Sequence, residues 1–248
     1  LVTVASFRFS LPVEGKLWQT AFDSSTGLLW MEFRDEELQR LFFRSVELSS
    51  GALGDRIEFA ETDWWTSLLR VSGGYLLLEQ YTDPQNPTEK SLLVYDAANH
   101  GLVNRYEDFQ FVKQEGNVVY GQSLKNQGET KSFTLEIVDV PKVNEDLDEP
   151  VYYAPGSDSH SLVFDFLSKE SSPVGCEYFE INNYIIISYY ERSDSKFDRM
   201  LLVLKSGEEI LHDRIDSKMS GFAAGGFFIF DGLLVYVKNG NEINGIEL

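Results

Sequence analysis

"LLLEQYTDPQNPTEKSLLVYD", residues 76–96, sets two apolar runs of strand length on either side of a ten-residue connection, 81–90. A hairpin commonly turns in about two to five residues, so this connection is long for its place. Pro84 and Pro87 fix their own φ and push Asp83 and Asn86 toward extended backbone. The composition reads as a loop held in one shape. Upstream, "WWTSLLRVSG" is a further strand ending at a Gly pair, and downstream "LVNRYED" follows the turn "AANHG". Four short strands in meander order result.

The same turn-then-strand unit recurs as "STGLLWMEF", "SGGYLLLEQY", "EGNVVYG", "INNYIIISYY" and "FDGLLVYV". Gly27, Gly74, Asn117, Asn183 and Gly232 precede the apolar runs, 47, 43, 66 and 49 residues apart. These residue types accept positive φ at little cost, as tight hairpin turns require. The 16 residues after Gly232 and the first 27 together make another 43. A period of roughly 40–50 residues built from four short strands is that of a β-propeller. The expectation is one all-β domain over 1–248, a five-bladed β-propeller. Its N-terminal strand, in "TVASFRFS", completes the last blade and so leaves no open sheet edge. Blade one is expected to end in "DRIEFAE". The 66-residue step holds an insertion at about 142–175. It either carries strands of its own, "VYYAP" and "SLVFDFL", or forms a sixth blade. Its "DLDE" run reads as a solvated loop.

"DWW", "LLLEQYTDPQNPTEK" and "LLVYD" with a glycine downstream resemble a group of bacterial proteins known only as a domain of unknown function. The resemblance covers most of the chain, and its most specific part is 63–96. The resemblance implies no activity and supplies no catalytic residue.

Forty Asp and Glu stand against 21 Lys and Arg, a formal net charge of −19. This disfavours nucleic acid and anionic membranes, which need cationic surface. It suits neutral or basic partners. No apolar run reaches the roughly 18 residues of a membrane helix. No leader is visible, so a cytoplasmic protein is expected; a signal peptide removed before residue 1 would leave the same sequence. Cys176 stands alone, excludes an internal disulfide, and reads as a small core residue.

Within a propeller, connections between the second and third strands share a face with those between blades. That face receives 81–90, "AETDWWTS", "EFRDEELQR", "YYERSDSKFD", "QSLKNQGETK" and the insertion; the other receives tight, plain turns. Binding residues concentrate on such long loops. The candidates are Arg34, Asp63, Trp64, Trp65, Tyr81, Asp83, Gln85, Asn86 and Arg192. The aromatics offer flat amphipathic surface, the amides both donors and acceptors, and the arginines a fork for anionic groups. A plainer reading has Asp83 capping the turn and the tryptophans filling space between blades.

Nucleophile-elbow, zinc-protease, P-loop and dinucleotide motifs are absent. His100, His160 and His212 lack metal-ligand spacing. Glu32, Asp63, Glu79, Asp83 and Glu191 keep carboxylate-pair glycoside hydrolysis as the weaker reading. No catalytic residue, metal or cofactor is assigned. The expected function is a monomeric, non-enzymatic recognition or protein-interaction platform. Its partner is a protein or, alternatively, a neutral small ligand or glycan.

Overall fold

The computed structural model describes residues 5–83, 85–86, 88–126, 128–137, 147–167, 174–222 and 225–248. Pro84 and Pro87, part of the expected N-terminal strand and much of the insertion lie outside them. The chain forms two compact units: Glu14–Glu145, which is continuous, and Leu1–Val13 with Asp146–Leu248, which is not. Strand β1 (Phe7–Pro12) belongs to the second.

The continuous unit holds three antiparallel meanders. The first is β2 (Lys16–Asp23), β3 (Leu28–Asp35), β4 (Arg40–Glu47) and β5 (Ala52–Leu53). The second is β6 (Thr66–Ser72), β7 (Tyr75–Tyr81), β8 (Lys90–Asp96) and β9 (Leu102–Glu107). The third is β10 (Gln110–Glu115), β11 (Val118–Gln122) and β12 (Thr130–Thr134). Strand β7 shows why three successive positions, Leu76 to Leu78, are apolar and not alternating. Leu76 and Leu78 pack with Trp30, Phe43 and Leu93, while Leu77 packs with Phe109, Val119 and Leu135. Successive side chains leave a strand on opposite faces, so where a strand is covered on both sides its consecutive residues are buried. The middle sheet thus has its neighbours against its two faces.

The discontinuous unit holds β13 (Val151–Tyr153), helix α1 (Asp158–Phe164), β14 (Cys176–Ile181), β15 (Tyr184–Ser193), β16 (Lys196–Lys205) and β17 (Glu208–Met219). It ends with β18 (Phe227–Phe230), β19 (Leu233–Lys238) and β20 (Glu242–Glu247). Strands β13 to β17 make one five-stranded sheet; β18, β19, β20 and β1 make the other, with β1 outermost. Ile186, Val203, Ile215, Ile229, Leu234 and Ile246 join these two sheets in one core. On the other side of β15, Ile187 and Tyr189 pack with Cys176 and with Val163 of α1. The Cys176 thiol is fully buried, and burial, with the Glu177 charge adding, pushes its pKa up to about 11.

The fold is therefore all-β with, among the described residues, one short helix and five successive antiparallel sheets, propeller-like, with the N-terminal strand in the last. Antiparallel pairing of β1 with β20, from Phe7 opposite Ile246 to Pro12 opposite Glu242, matches the expected closure of that sheet. Asn239 and Gly240, at φ 53° and 70°, form the expected turn before β20.

Several details differ from the sequence reading. Strand β5 replaces "DRIEFAE" as the fourth strand of the first sheet, and Ile57 makes only a bridge to Phe43. The segment "SLVFDFL" is largely helix and not strand. Ser157 caps it, its Oγ accepting from the His160 N–H at 3.2 Å, and Asp158 occupies the first turn. The described part of the insertion adds β13 to an existing sheet and makes no sixth blade. Asp148 of the "DLDE" run exchanges two backbone hydrogen bonds with Ile229, both 2.9 Å. In two hairpins the positive φ falls one residue earlier than expected, on Gly116 and Asn182. No helix among the described residues is long and apolar enough to cross a membrane.

A Cβ added at Gly245, on β20, would stand 2.5 Å from the ring of Phe9 on β1. Gly245→Ala is expected to loosen the β1 pairing and cost about 1–3 kcal/mol, as overpacking does. A urea unfolding midpoint equal to that of the parent would show that β1 contributes little.

Candidate functional site

The sequence candidates of the continuous unit gather where β3 meets the segment entering β6. Arg34, near the end of β3, is the centre. Its Nε donates to Glu32 Oε1 at 2.7 Å, and its two terminal nitrogens donate to the carbonyls of Trp64 (3.1 Å) and Thr66 (2.9 Å). The guanidinium lies between two indoles, 4.5 Å from the Trp18 ring centroid and 5.1 Å from that of Trp64. Glu32 is fully buried and also accepts from Leu68 N–H (2.6 Å) and Ser67 Oγ (3.0 Å). Residues 32 and 34 share one face of a strand, which is why the pair forms within β3. Arg34 thus fastens the two sheets and positions Trp64.

Trp18 and Trp65 are left 49% and 46% exposed. Trp18 occupies a bulge in β2, where the register shifts between Leu17 and Gln19. Asp63 Oδ1 accepts from the Trp65 N–H (2.9 Å) and Thr66 Oγ1 (3.2 Å), fixing the turn that carries both tryptophans. The Tyr81 N–H donates to the Trp65 carbonyl at 3.2 Å, bringing the β7 end beside them. Lys90 lies 4.5 Å from the Tyr81 ring centroid and donates to Glu79 at 2.8 Å. Burial works against its charge, but the Glu79 and Tyr81 contacts outweigh it and hold the pKa above the usual lysine value.

Two side-chain turns shape the loop itself. Asp83 Oδ1 accepts from the Gln85 N–H (2.9 Å). Asn86 Oδ1 accepts from Thr88 N–H (3.1 Å) and Thr88 Oγ1 (2.7 Å), and its amide donates to Glu89 (3.2 Å). The Thr82 N–H to Glu89 carbonyl bond closes the base at 2.9 Å. Asp83 and Asn86 are thus used in folding the loop, while Gln85 is exposed. Arg192 belongs to the discontinuous unit, where its guanidinium lies 5.8 Å from the Phe197 ring centroid.

The loop after β11 has a similar anchor. Asp108 accepts from Ser123 Oγ, from the Leu124 and Lys125 N–H groups, and from Lys131 Nζ. Desolvation alone would raise its pKa, but the Ser123, Lys125, Lys131 and Leu124 donors together hold it far below the usual carboxylate range.

The other end of the three sheets is not plain. The β2–β3, β6–β7 and β10–β11 turns surround a cavity of about 360 Å³. Ser24, Ser25, Arg70, Ser72, Gln114 and Asn117 give it a polar lining. Asp23 ties two of its turns together, accepting from the Gly74 N–H (2.8 Å), the Gly73 N–H (3.3 Å) and both the N–H and Oγ of Ser25.

Sequence reading had not singled out Trp18 or this cavity. Trp18 carried a signal, since it enters the first sheet as Trp64 and Trp65 enter the second. Nothing in the linear sequence unites three turns some 45 residues apart.

Residues 22–103 match the family model of DUF4905, a domain of unknown function. This span contains the whole of 63–96, runs from the end of β2 to the start of β9, and is about a third of the chain, less than the resemblance read from the sequence. No curated protein matches the chain. Among solved structures, the β-propeller domain of the trilobed protease from Pyrococcus furiosus is similar at 11% identity, covering 89% of this chain and 74% of that one, with a TM-score of 0.32. A bifunctional GH43-CE protein of Bacteroides eggerthii is similar at 11% identity, covering 98% and 34%, with a TM-score of 0.33. An acylaminoacyl peptidase of Pyrococcus horikoshii is similar at 11%, covering 94% and 36%, with a TM-score of 0.26. The chain spans only about a third of these last two proteins.

Removing Arg34 would leave Glu32 buried without its cation. Arg34→Met is expected to cost about 3–5 kcal/mol, and Arg34→Lys to recover only part, because a lysine cannot reach three acceptors at once. Chemical denaturation of the three proteins measures this; a small loss in Arg34→Met would remove the clamp from the account. Asp108→Asn is expected to cost about 1–3 kcal/mol at neutral pH. The Asp108 carboxylate has a lowered folded-state pKa, so its contribution is present above the unfolded value of about 4 and fades as pH falls toward the folded one. The gap between mutant and parent should therefore narrow on acidification below about pH 4. A gap that widened there would contradict the assignment.

Proposed function

We propose that the chain is a non-enzymatic recognition domain that takes a protein partner on the loop end of its continuous unit. The observation that carries this is the Trp18–Arg34–Trp64 stack with Trp65 beside it. Large apolar side chains left half exposed mark interaction surfaces, and tryptophan and arginine are enriched where binding energy concentrates. Here the stack and the turn bonds already hold the rings in place. A partner then has little side-chain freedom left to freeze out, and more of the contact energy remains as affinity. The loop beside it, braced by Asp83 and Asn86, presents the Gln85 amide. A net charge of −19 favours approach of a partner with a basic surface.

A second reading has its own support. Two flat, exposed indoles near an exposed amide also suit a glycan, which stacks its ring faces on aromatics and hydrogen-bonds through its hydroxyls. Arg34 is engaged by protein acceptors in either case and acts through Trp64. Affinity capture followed by direct titration of the purified partner tests the proposal. Trp65→Ala is expected to weaken binding about tenfold or more, with the melting temperature unchanged and Gln85→Ala adding a smaller loss. Undiminished affinity in the Trp65→Ala, Gln85→Ala double variant would overturn the proposal. Binding of a glycan panel, abolished by the same changes, would put the second reading in its place.

A further inference from the structure

We propose that the cavity at the turn end of the continuous unit is a binding site for a small anionic sugar. The proposal does not depend on the loop-end reading. Three observations carry it.

The first is Gln114. Its Nε2 donates to Ser72 Oγ and to the Gly116 carbonyl, both at 2.8 Å. A carbonyl only accepts, so the orientation of the amide is fixed. Its Oε1 is then a buried acceptor without a donor among the described residues. Buried polar atoms are rarely left so, and this one, closed off from water, meets a ligand hydroxyl only once the Gln114 side chain shifts toward the cavity. Ser72 Oγ, having accepted from Gln114, keeps a proton to donate.

The second is Arg70. It lines the cavity, and no carboxylate among the described residues lies within ion-pair distance of it. In this unit Lys16, Arg34, Arg56, Lys90, Arg105, Lys113 and Lys131 each have such a partner, Arg44 donates to the Gly54 carbonyl, and the exposed Arg40 and Lys125 share the lack of one among the described residues but do not line this cavity. Asp23, the carboxylate in the same lining, spends its oxygens on the turn amides and on Ser25. The guanidinium therefore keeps a free fork for a carboxylate or phosphate.

The third is the shape. A volume of about 360 Å³ falls within the usual range for small-molecule pockets. Phe22, Val71 and Ile137 supply apolar wall between the polar groups. Polar hydroxyl partners, one cation and a limited apolar surface together describe a monosaccharide bearing one acidic group.

The experiment is an amide-resolved NMR titration of the full chain with D-galacturonate, D-galactose 1-phosphate and neutral D-galactose. At least one anionic probe is expected to move the signals of Ser25, Gly73, Gly116 and Asn117 and to bind more tightly than galactose. Which anion does so identifies the acidic group as carboxylate or phosphate. Arg70→Gln is expected to weaken that binding about tenfold or more while leaving the melting temperature unchanged, since Arg70 is exposed and makes no tie within the fold. Arg70→Lys, which keeps the charge but not the fork, should fall between the two. Absence of any shift at the turns overturns the proposal. So does equal binding of galactose, or affinity indifferent to Arg70→Gln.

Discussion

The first strand of a meander has a neighbour on one side only, so its open edge must find hydrogen-bond partners outside its own sheet. In this chain acidic side chains of a neighbouring sheet meet that demand. Glu32 accepts from the Leu68 N–H of β6, and Asp23 from the Gly73 and Gly74 N–H groups that follow it. In the discontinuous unit Glu177 accepts from the Gly225 and Gly226 N–H groups just before β18, at 2.7 and 3.0 Å, while Arg199 donates to it at 2.6 Å. A buried carboxylate is costly unless it is paired and fully hydrogen-bonded. Each of these has two or more donors. Part of the acidic excess in the composition is thus internal, and serves to join one sheet to the next.

The same arrangement makes the two ends of the continuous unit chemically different. At the loop end the Glu32–Arg34 pair turns outward into a cation held between indoles, so its surface is aromatic and braced. At the turn end Asp23 draws hairpins together and leaves hydroxyls, an amide oxygen and Arg70 facing a hollow. Both features follow from two carboxylates placed at different points along neighbouring strands of the first sheet, Asp23 closing β2 at the turn end and Glu32 further along β3, opposite Gln19.

Much of the fold was legible because central strands such as β7 and β15 are apolar at successive positions, and because glycine or asparagine marks the hairpins before them. The place of the long loop followed from that order. The first sheet's short fourth strand was not legible, since "DRIEFAE" alternates as a strand does yet pairs with the sheet's backbone only at Ile57, while Phe59 packs on Phe43. Helix α1 was missed because the apolar residues of "SLVFDFL" were read as one run, although Ser157, four residues before, is of the type that caps a helix and α1 ends at Phe164. Arg34 was expected to face a ligand. The Glu32-x-Arg34 spacing pointed to a pair on one face, but only burial shows that Arg34 turns to its own chain. Arg70 and Gln114 looked like ordinary polar positions of strands, and their meeting is set by tertiary packing alone.

Strand β1 is synthesised before the other described strands, and its partner β20 after all of them. Between the two events the continuous unit acquires every strand of its three sheets and can close its own cores. Long-range pairings of this kind wait on loop closure, and an unpaired strand is open to the wrong partner meanwhile. The exposed segment is short: "FRFSLP", six residues. Arg8 and Pro12 lie within it, a charge and a residue without an N–H, both of which discourage pairing with another chain's edge. The composition of β1 thus suits a strand that must remain soluble and alone until β20 has been made.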